Sequence, residues 1–372
     1  MRLAGDAERL ASALTAAARA AGPSEDSRCV VISCSDDQAR ITGIGADFQV
    51  TIFVPVSVHN PGSVALPARQ VLQIAQLLEG PTAEVSGQHG LWNATISCQD
   101  ASWTLQGLSP SDLPQIQPPE APPLRLPARA VADSVSTVLH AADRPDGRPA
   151  LAGVRVEPSP EGATFVATDG ARLAFSSVAF PQAATDAPLP EITVPVKAAA
   201  AIAAAAAQAP GDAPAEFRLG SATASFEAAG TRVVFRTIPA GFPAWRNLDT
   251  KTASNPSVIR ASSDALIRAV SAASVSASRD RRVCVLSRRG DRLAVSASSP
   301  SLGASEALCE CEISGESWDP QAFNPSFLLQ AISALRTPRV RILLSPQIGP
   351  CRVEPDPPAR SACVIAPVLL PS

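Results

Sequence analysis

Six segments with helical character recur along the chain at nearly even spacing, and this repeat constrains the fold more than any other feature. Their starts lie roughly 60–68 residues apart. Three starts look alike, because a Pro in the first helical turn is followed two positions later by a basic residue. The segments are Asp6–Ala21, Pro67–Leu78, Pro127–His140, Pro195–Gln208, Ser262–Ser276 and Asn324–Leu335.

Short stretches of alternating apolar and polar residues separate the helical segments. Examples are Ala39–Ile44, Thr164–Thr168 and Arg292–Ala297, which this pattern predicts to be half-buried strands. One helix with three or four strands is then repeated six times, and two repeats per domain give three domains of about 120 residues. Segments 115–123 and 249–256 are predicted linkers, so the expected domains are 1–119, 124–250 and 254–372 of an α+β fold.

Composition limits both the residue types that can build the cores and the surface charge of the protein. Aromatic residues make up 4% of the 372 residues and Tyr is absent, so the cores must be built from Ala, Val, Leu and Ile. The net charge of −3 argues against a surface that is basic everywhere. It leaves room for one basic face on an acidic body, because net charge says nothing about distribution.

Several classes of site lack their sequence patterns. None of the eight cysteines forms a CxxC pair, and His59, His89 and His140 are not at ligand spacing, which argues against zinc or another cofactor. No Ser-His-Asp arrangement, Gly-rich phosphate loop or pair of carboxylates in a motif is present, so an enzyme is not expected. The N-terminal segment MRLAGDAERLASAL does not resemble a signal peptide, and no apolar run approaches the ~20 residues of a membrane span. We expect a cytoplasmic, reduced protein.

Four sequence motifs, in order along the chain, resemble motifs of bacterial DNA sliding clamps, which are the beta subunits of DNA polymerase III. VATDGARLA at 166–174 is similar to that family's VATDGHRLA, and GFPAWR at 241–246 is similar to FPDYR. FNPSFLL at 323–329 resembles FNxxYLLD, and VIAPVLL at 364–370 resembles VVMPMRL. Each also has a structural interpretation: ATDG is a strand entering a turn, Asn324 is a helix N-cap, and the last phrase is a core strand.

The resemblance implies a fold, a function, a set of pocket residues and a set of residues that contact DNA. A clamp of this family is a homodimeric ring of six such domains, with helices facing duplex DNA and sheets outside. A pocket between its second and third domains takes peptides from the DNA polymerase III alpha subunit, the clamp loader and other proteins with a clamp-binding motif. The matching positions here are Leu151, Thr168, Gly170, Arg172, Leu173, Pro243, Leu248, Asn324, Phe327, Ile348, Val364, Ile365, Pro367, Val368 and Leu370.

Basic residues on or beside the helices are the candidates for contact with DNA. A sliding ring must touch phosphates without reading bases. The candidates are Arg9, Arg19, Arg69, Arg129, Arg148, Lys197, Arg268 and Arg279. For ring closure, the family's edge positions suggest Arg69–Leu78 with Trp103–Leu105 on one side and Ser271–Ser278 with Ala294–Ala304 on the other.

This chain departs from the family pattern around the pocket. Ala171 replaces His, Ala366 and Val368 replace two Met, Leu369 replaces Arg, and Asn247 stands where many relatives carry Arg. Loss of both flexible Met side chains predicts a less adaptable pocket with an altered peptide or inhibitor preference. The alternative function is a divergent clamp paralogue that acts as a protein-binding scaffold or an inhibitor-insensitive copy.

Overall fold

Each of the six predicted helices is confirmed, and each occupies the same place in a recurring pattern of one strand, one helix and three strands. The computed structural model describes residues 1–21, 29–87, 92–144, 146–180, 189–211, 213–239, 241–277 and 282–369. The strands predicted at Ala39–Ile44, Thr164–Thr168 and Arg292–Ala297 are confirmed as well.

The first three repeats follow this order closely. The first contains β1 Arg2–Asp6, α1 Ala7–Ala21, β2 Cys29–Ser35, β3 Gln38–Ile44 and β4 Phe48–Pro55, with a short β5 Ser57–Asn60 after it. The second contains β6 Gly62–Pro67, α2 Ala68–Ala75, β7 Thr82–Gly87, β8 Asn93–Cys98 and β9 Ala101–Gln106. The third contains β10 Pro123–Pro127, α3 Ala128–Leu139, β11 Gly153–Ser159, β12 Gly162–Thr168 and β13 Arg172–Ala179.

The last three repeats have the same order, with a further helix between the fourth and fifth. The fourth contains β14 Ile192–Pro195, α4 Val196–Ala207, β15 Pro214–Leu219, β16 Thr223–Ala228 and β17 Thr231–Arg236, and the helix α5 Arg246–Ala253 follows. The fifth contains β18 Ser257–Ser262, α6 Ser263–Ser274, β19 Cys284–Arg289, β20 Arg292–Ser299 and β21 Gly303–Cys309, followed by β22 Glu312–Ser314. The sixth contains β23 Gln321–Phe323, α7 Pro325–Ala334, β24 Arg339–Leu344, β25 Cys351–Pro355 and β26 Ser361–Ile365.

Helix α5 corrects the prediction of a linker at 249–256, because residues up to Ala253 are helical. The local sequence RNLDTKTA is polar and carries no apolar stripe, so nothing in it predicted a helix. The side chain of Trp245, at the N-cap position, is buried and fixes the start of the helix by tertiary packing. The hydroxyls of Thr250 and Thr252 donate back to carbonyls one turn earlier.

The chain divides into two compact units, Met1–Ala132 with Gln182–Ile238, and Asp133–Pro181 with Pro239–Ser372. In the first unit, antiparallel strands pair in the orders β5-β1-β7-β8-β9 and β10-β15-β16-β17-β4-β3-β2-β6. In the second unit the orders are β11-β12-β13-β26-β25-β24-β18-β22 and β21-β20-β19-β23. The three-domain division of the sequence stays a prediction.

Small side chains let the helices lie close to the sheets. In the first unit, α1 packs on β3 and β4 through Ala13, Ala17 and other buried residues of one face. The approach is closest at Gly43 of β3, where an added Cβ would lie 1.8 Å from the carbonyl oxygen of Ala17. Only glycine fits there. The cap of the helix is local, because the Asp6 carboxylate accepts a hydrogen bond from the amide of Arg9 at 2.8 Å.

The cysteines pack in the cores as small apolar residues. Seven of the eight are buried, Cys311 is half-buried, and all are free thiols. Burial raises the pKa of Cys309 to about 11 and that of Cys284 to about 12, so both stay protonated near neutral pH. No helix in the described part of the chain is long and apolar enough to cross a membrane.

The contact at Gly43 predicts a sharp sensitivity to one methyl group. Gly43→Ala should lower the free energy of unfolding by about 1–3 kcal/mol, because α1 must shift away from β3. Gly241→Ala is the matched control, since an added Cβ there meets nothing within 4 Å. Urea unfolding of both variants measures the difference, and equal stabilities would contradict the close packing.

Candidate functional site

Most of the predicted pocket residues gather at one end of the β11-to-β22 sheet in the second unit. Thr168 ends β12, Leu173 follows the first residue of β13, and Val364 lies near the end of β26. The three are register partners in one row, Thr168↔Leu173↔Val364. Ile348 lies in the β24–β25 connection and Leu151 precedes β11, at the same end of the sheet.

The turn between β12 and β13 is fixed by its own side chains. Gly170 has a φ of +80°, as expected for the Asp-Gly turn. The Thr168 hydroxyl donates to the carbonyl of Arg172 at 2.6 Å and accepts from the amide of Gly170 at 3.0 Å. The Asp169 carboxylate accepts from the amides of Ala171 and Arg172 at 2.9 and 3.0 Å. The turn therefore presents Arg172 in a defined direction.

The guanidinium of Arg172 is held from three sides. Its Nε donates to Asp169 Oδ2 at 3.0 Å, and Nη1 donates to the side-chain oxygen of Gln330. It also lies over the ring of Phe327, 4.2 Å from the ring centroid. The side chain is only 11% exposed. These contacts make Arg172 a fixed donor at the rim of the site instead of a mobile surface charge.

The sheet divides the predicted pocket residues between its two faces. Because side chains alternate along a strand, Leu173 and its partner Val364 point to one face. Arg172 and its partner Ile365 point to the other, where Arg172 meets Phe327 of α7. The site is therefore built around the end of the sheet and is not confined to one face.

An apolar cluster covers the first of these faces. Its buried members are Val166, Leu173, Phe175, Trp245, Ala362 and Val364, and Phe242 and Leu248 pack against them. The rings of Phe175 and Trp245 are 5.1 Å apart between centroids. Helix α5 and the segment before it thus form a wall over the sheet. The resemblance marked Pro243 and Leu248 here, but not Trp245 or Phe242.

Exposure separates the predicted pocket residues into layers. Gly170, Pro243 and Ile348 are exposed, and the half-buried residues are Arg172, Leu248, Asn324, Phe327, Pro367 and Val368. The buried residues are Leu151, Thr168, Leu173, Val364 and Ile365. Leu370 lies outside the described residues. The accessible layer is mainly apolar, as a site for apolar side chains requires.

Two backbone contacts fix the C-terminal segment beside this layer. The amide of Ala366 donates to the carbonyl of Ala171 at 2.9 Å, and that of Val368 donates to Ala322 at 2.7 Å. The side-chain oxygen of Asn324 accepts from the amide of Ser326 at 2.9 Å and caps α7, as the sequence predicted. The side-chain amide nitrogen of Asn324 is not used in this cap.

Two buried titratable groups beside the site, His140 and Cys363, are neutral near neutral pH. Burial, with the nearby charge of Arg172, lowers the pKa of His140 to about 4. Its Nε2 lies 3.7 Å from Cys363 Sγ, and burial raises the pKa of that thiol to about 12. A neutral imidazole beside a protonated thiol is not an activated nucleophile. The site is suited to binding.

The predicted DNA-facing residues, apart from two, are exposed cations on the helices. They are Arg9 and Arg19 on α1, Arg69 on α2, Arg129 on α3, Lys197 on α4 and Arg268 on α6. Several arginines on strands are instead paired with carboxylates, namely Arg2–Glu84, Arg125–Glu216, Arg232–Glu227, Arg289–Glu306 and Arg339–Glu312. Among the described residues, Arg9, Arg19, Lys197 and Arg268 form no such ion pair.

The other two candidates differ. Arg148 lies in the connection before β11, where its Nε pairs with Asp143 at 3.3 Å and an Nη donates to the carbonyl oxygen of Asp169. It therefore contacts the turn of the pocket as well as solvent. Arg279 lies outside the described residues.

A groove of about 1460 Å³ lies in the first unit between α1 and α4. Arg9, Arg19 and Lys197 are among the residues around it, and alanines such as Ala200 and Ala204 form the wall on α4. The alanine-rich composition of α4 thus leaves space where larger or charged side chains would otherwise stand.

Two of the terminal strands lie beside the segments predicted to close a ring. β9 is the last strand of its sheet in the first unit, and β21 is the last strand of its sheet in the second. A cavity of about 490 Å³ beside β9 is lined by Gln70, Gln73, Ile74, Gln76, Leu77, Trp103 and Leu105. Near β21, Val275, Leu302 and Leu308 are exposed apolar side chains.

Two relatives that match most of the chain are both named "Beta sliding clamp". A protein called "Beta sliding clamp" from Synechococcus elongatus is 26% identical over 321 residues, which is 85% of this chain and 84% of the relative. The Beta sliding clamp of Escherichia coli K12 is 24% identical over 345 residues, covering 92% and 91%. The solved structure of the DNA polymerase III beta subunit from Thermotoga maritima has a TM-score of 0.88 at 17% identity, with all of both chains covered.

Two family matches account for more than half of the chain. Residues 125–244 match the central domain of the DNA polymerase III beta subunit. Residues 253–369 match its C-terminal domain. The chain therefore belongs to the DNA polymerase III beta subunit family.

Proposed function

We propose that this protein is a DNA sliding clamp that encircles duplex DNA and tethers DNA polymerase III and other replication and repair proteins. It is a processivity subunit without chemistry of its own, and it acts on DNA in the bacterial cytoplasm. Its partners are DNA of any sequence, a second copy of the chain, the polymerase alpha subunit and the clamp loader. Membership of the beta subunit family is the observation that carries this proposal.

The distribution of charge supports contact with phosphates. Five strand arginines pair with glutamates, whereas the helix residues Arg9, Arg19, Lys197 and Arg268 form no ion pair in the described parts of the chain. Such cations bind the DNA backbone without reading sequence, which permits sliding. Helix α4 contributes Lys197 and otherwise mostly alanine, so this helix binds the DNA backbone weakly.

The terminal strands β9 and β21 support ring closure by a second copy. An unpaired edge strand is a template for pairing with another chain. We assign closure to β9 of one protomer against β21 of its partner, with Leu77 and Trp103 meeting Leu302 and Leu308. The two patches differ, so each contact is heterologous, and a two-fold axis that repeats the contact closes the ring.

The end of the sheet in the second unit supports a peptide pocket. Leu173, Val364 and Leu248 offer an apolar floor and wall for Leu- or Phe-type anchors. Arg172 is the fixed donor that sets the register of the peptide. With Ala366 and Val368 in place of two Met, the pocket adapts less to different anchors, and we expect an altered peptide preference.

A processivity assay tests the proposal. With the loader and DNA polymerase III on a primed single-stranded circle, the chain should lengthen the products made in one binding event.

Ile348→Glu places a charge in the accessible layer of the pocket and should weaken binding of a peptide with Leu and Phe anchors about tenfold. Products should shorten accordingly. Leu108→Glu is the control, because Leu108 is also exposed but lies in the first unit. Equal products from both variants would contradict the role of the pocket.

The basic helices predict a salt signature. Binding to a short duplex, measured by anisotropy between about 50 and 200 mM salt, should give a line of log K against log salt. Replacing Arg19 and Lys197 together by Ala should reduce its slope by about 2, since each phosphate contact contributes about 0.9. Arg232→Ala serves as the control, because Arg232 is paired with Glu227 on a strand. An unchanged slope in the double variant would place DNA elsewhere.

A further inference from the structure

Charged side chains hold helix α5 at two points in its N-terminal half, although the helix covers an apolar cluster. At the start, Trp245 Nε1 donates to Glu157 Oε1 at 3.0 Å, and Arg246 Nη1 donates to Glu157 Oε2 at 2.6 Å. The Glu157 side chain is 10% exposed, so this carboxylate is taken out of water to make the contact. The first turn of α5 is thereby tied to β11.

Farther along the helix, Asp249 joins a buried ionic network. Arg352 of β25 donates to Asp249 through Nη1 and to Glu354 through Nε, the latter at 2.6 Å. Glu354 also accepts from Arg341 of β24. The Arg352 and Glu354 side chains are 8% and 3% exposed, whereas Asp249 is 28% exposed. Two cations and two carboxylates balance, so the network is neutral.

A network of this kind gives little net stability. Removing ions from water costs free energy that their attraction only partly returns, and apolar side chains of similar size often stabilise a protein equally well. What ion pairs and hydrogen bonds add is a defined geometry, because they are directional and apolar contacts are not. The ionic network therefore fixes the position of α5 over the sheet.

That position bears directly on the pocket. Arg352 is the register partner of Val364, which is the partner of Leu173, so the three share one row and one face of the sheet. Leu248 lies on α5 between the held residues Arg246 and Asp249 and packs against the cluster that contains Leu173 and Val364. Movement of α5 would therefore change the gap between Leu248 and the pocket floor.

We propose that Asp249 and Arg352 are positioning residues of the peptide pocket, which set the place of Leu248 and so the width available to an apolar peptide anchor. The inference rests on the proposed function. Neither residue touches the peptide. Their effect passes through α5, and it concerns the fit of a Leu- or Phe-type side chain instead of the grip on DNA.

The test uses the full chain with Asp249→Ala, which removes the partly exposed end of the network and leaves the buried Arg352–Glu354 pair intact. A fluorescein-labelled synthetic peptide with Leu and Phe anchors reports affinity by anisotropy. We expect affinity to fall at least about fivefold, within the range of coupling between residues in contact. Amide hydrogen exchange should rise in residues 246–253 and stay unchanged in α7. Asp249→Glu, which keeps the carboxylate, should recover part of the affinity.

Two controls separate positioning from general stability. Lys251→Ala alters an exposed charge of the same helix that is not part of the network, and should leave affinity unchanged. Arg341→Met alters the far end of the network, and should lower the melting temperature while the peptide still binds. Loss of affinity that follows the melting temperature across all variants would overturn the inference, as would unchanged affinity in Asp249→Ala. If the unaltered chain fails to bind the peptide, the proposed pocket itself is wrong and the inference falls with it.

Discussion

The antiparallel pairing of β13 with β26 joins residues 172–176 to residues 361–365, and the candidate site depends on it. Its register places Leu173 beside Val364 on one face and Arg172 beside Ile365 on the other. A shift by one residue would exchange the faces, so that Arg172 would point into the apolar cluster under α5. The tight turn at Gly170 and the buried cluster around Phe175 and Trp245 both oppose such a shift.

Local patterns predicted much of the fold. The six helices could be found because a Pro directly before the helix, or an N-cap such as Asn324, precedes an apolar periodicity, and the strands because their residues alternate. Helix α5 could not, because its sequence is polar. It forms where Trp245 is buried and where Glu157 and Arg352, each about 90 or more positions away, meet its side chains.

The site was predicted only through resemblance to a family. Resemblance identified Arg172, Phe327 and Leu248, but not that they lie on two faces of one sheet end. It also missed Glu157 and Arg352, which act through α5. A signal for Arg352 was present, because a charged residue inside the apolar strand Cys351–Pro355 needs a buried partner. Glu354, two residues along the same strand, was a readable partner, but the second partner, Asp249 on α5, could not be read from the sequence. Arg279 and Leu370 lie outside the described residues and stay predictions.

The charge of the chain fits the same picture. A net charge of −3 would exclude a protein that is basic all over, but here several strand arginines are paired with carboxylates, and several helix cations form no ion pair with the described residues. Pairing on the sheets and exposed cations on the helices reconcile an acidic chain with DNA. The alanines of α4 leave Lys197 as the one charged residue of that helix, and so weaken the basic character there.

Topological retention on DNA tests the account most directly. The purified chain is loaded onto nicked circular DNA with the clamp loader, and the DNA is then cut at one site. The account predicts that the protein stays on the circle through gel filtration and leaves when the DNA becomes linear, because a closed ring can slide off only an end. Failure to stay on the circle, together with a monomeric mass in solution, would contradict encirclement. The protein would then have the clamp fold but act as a protein-binding scaffold.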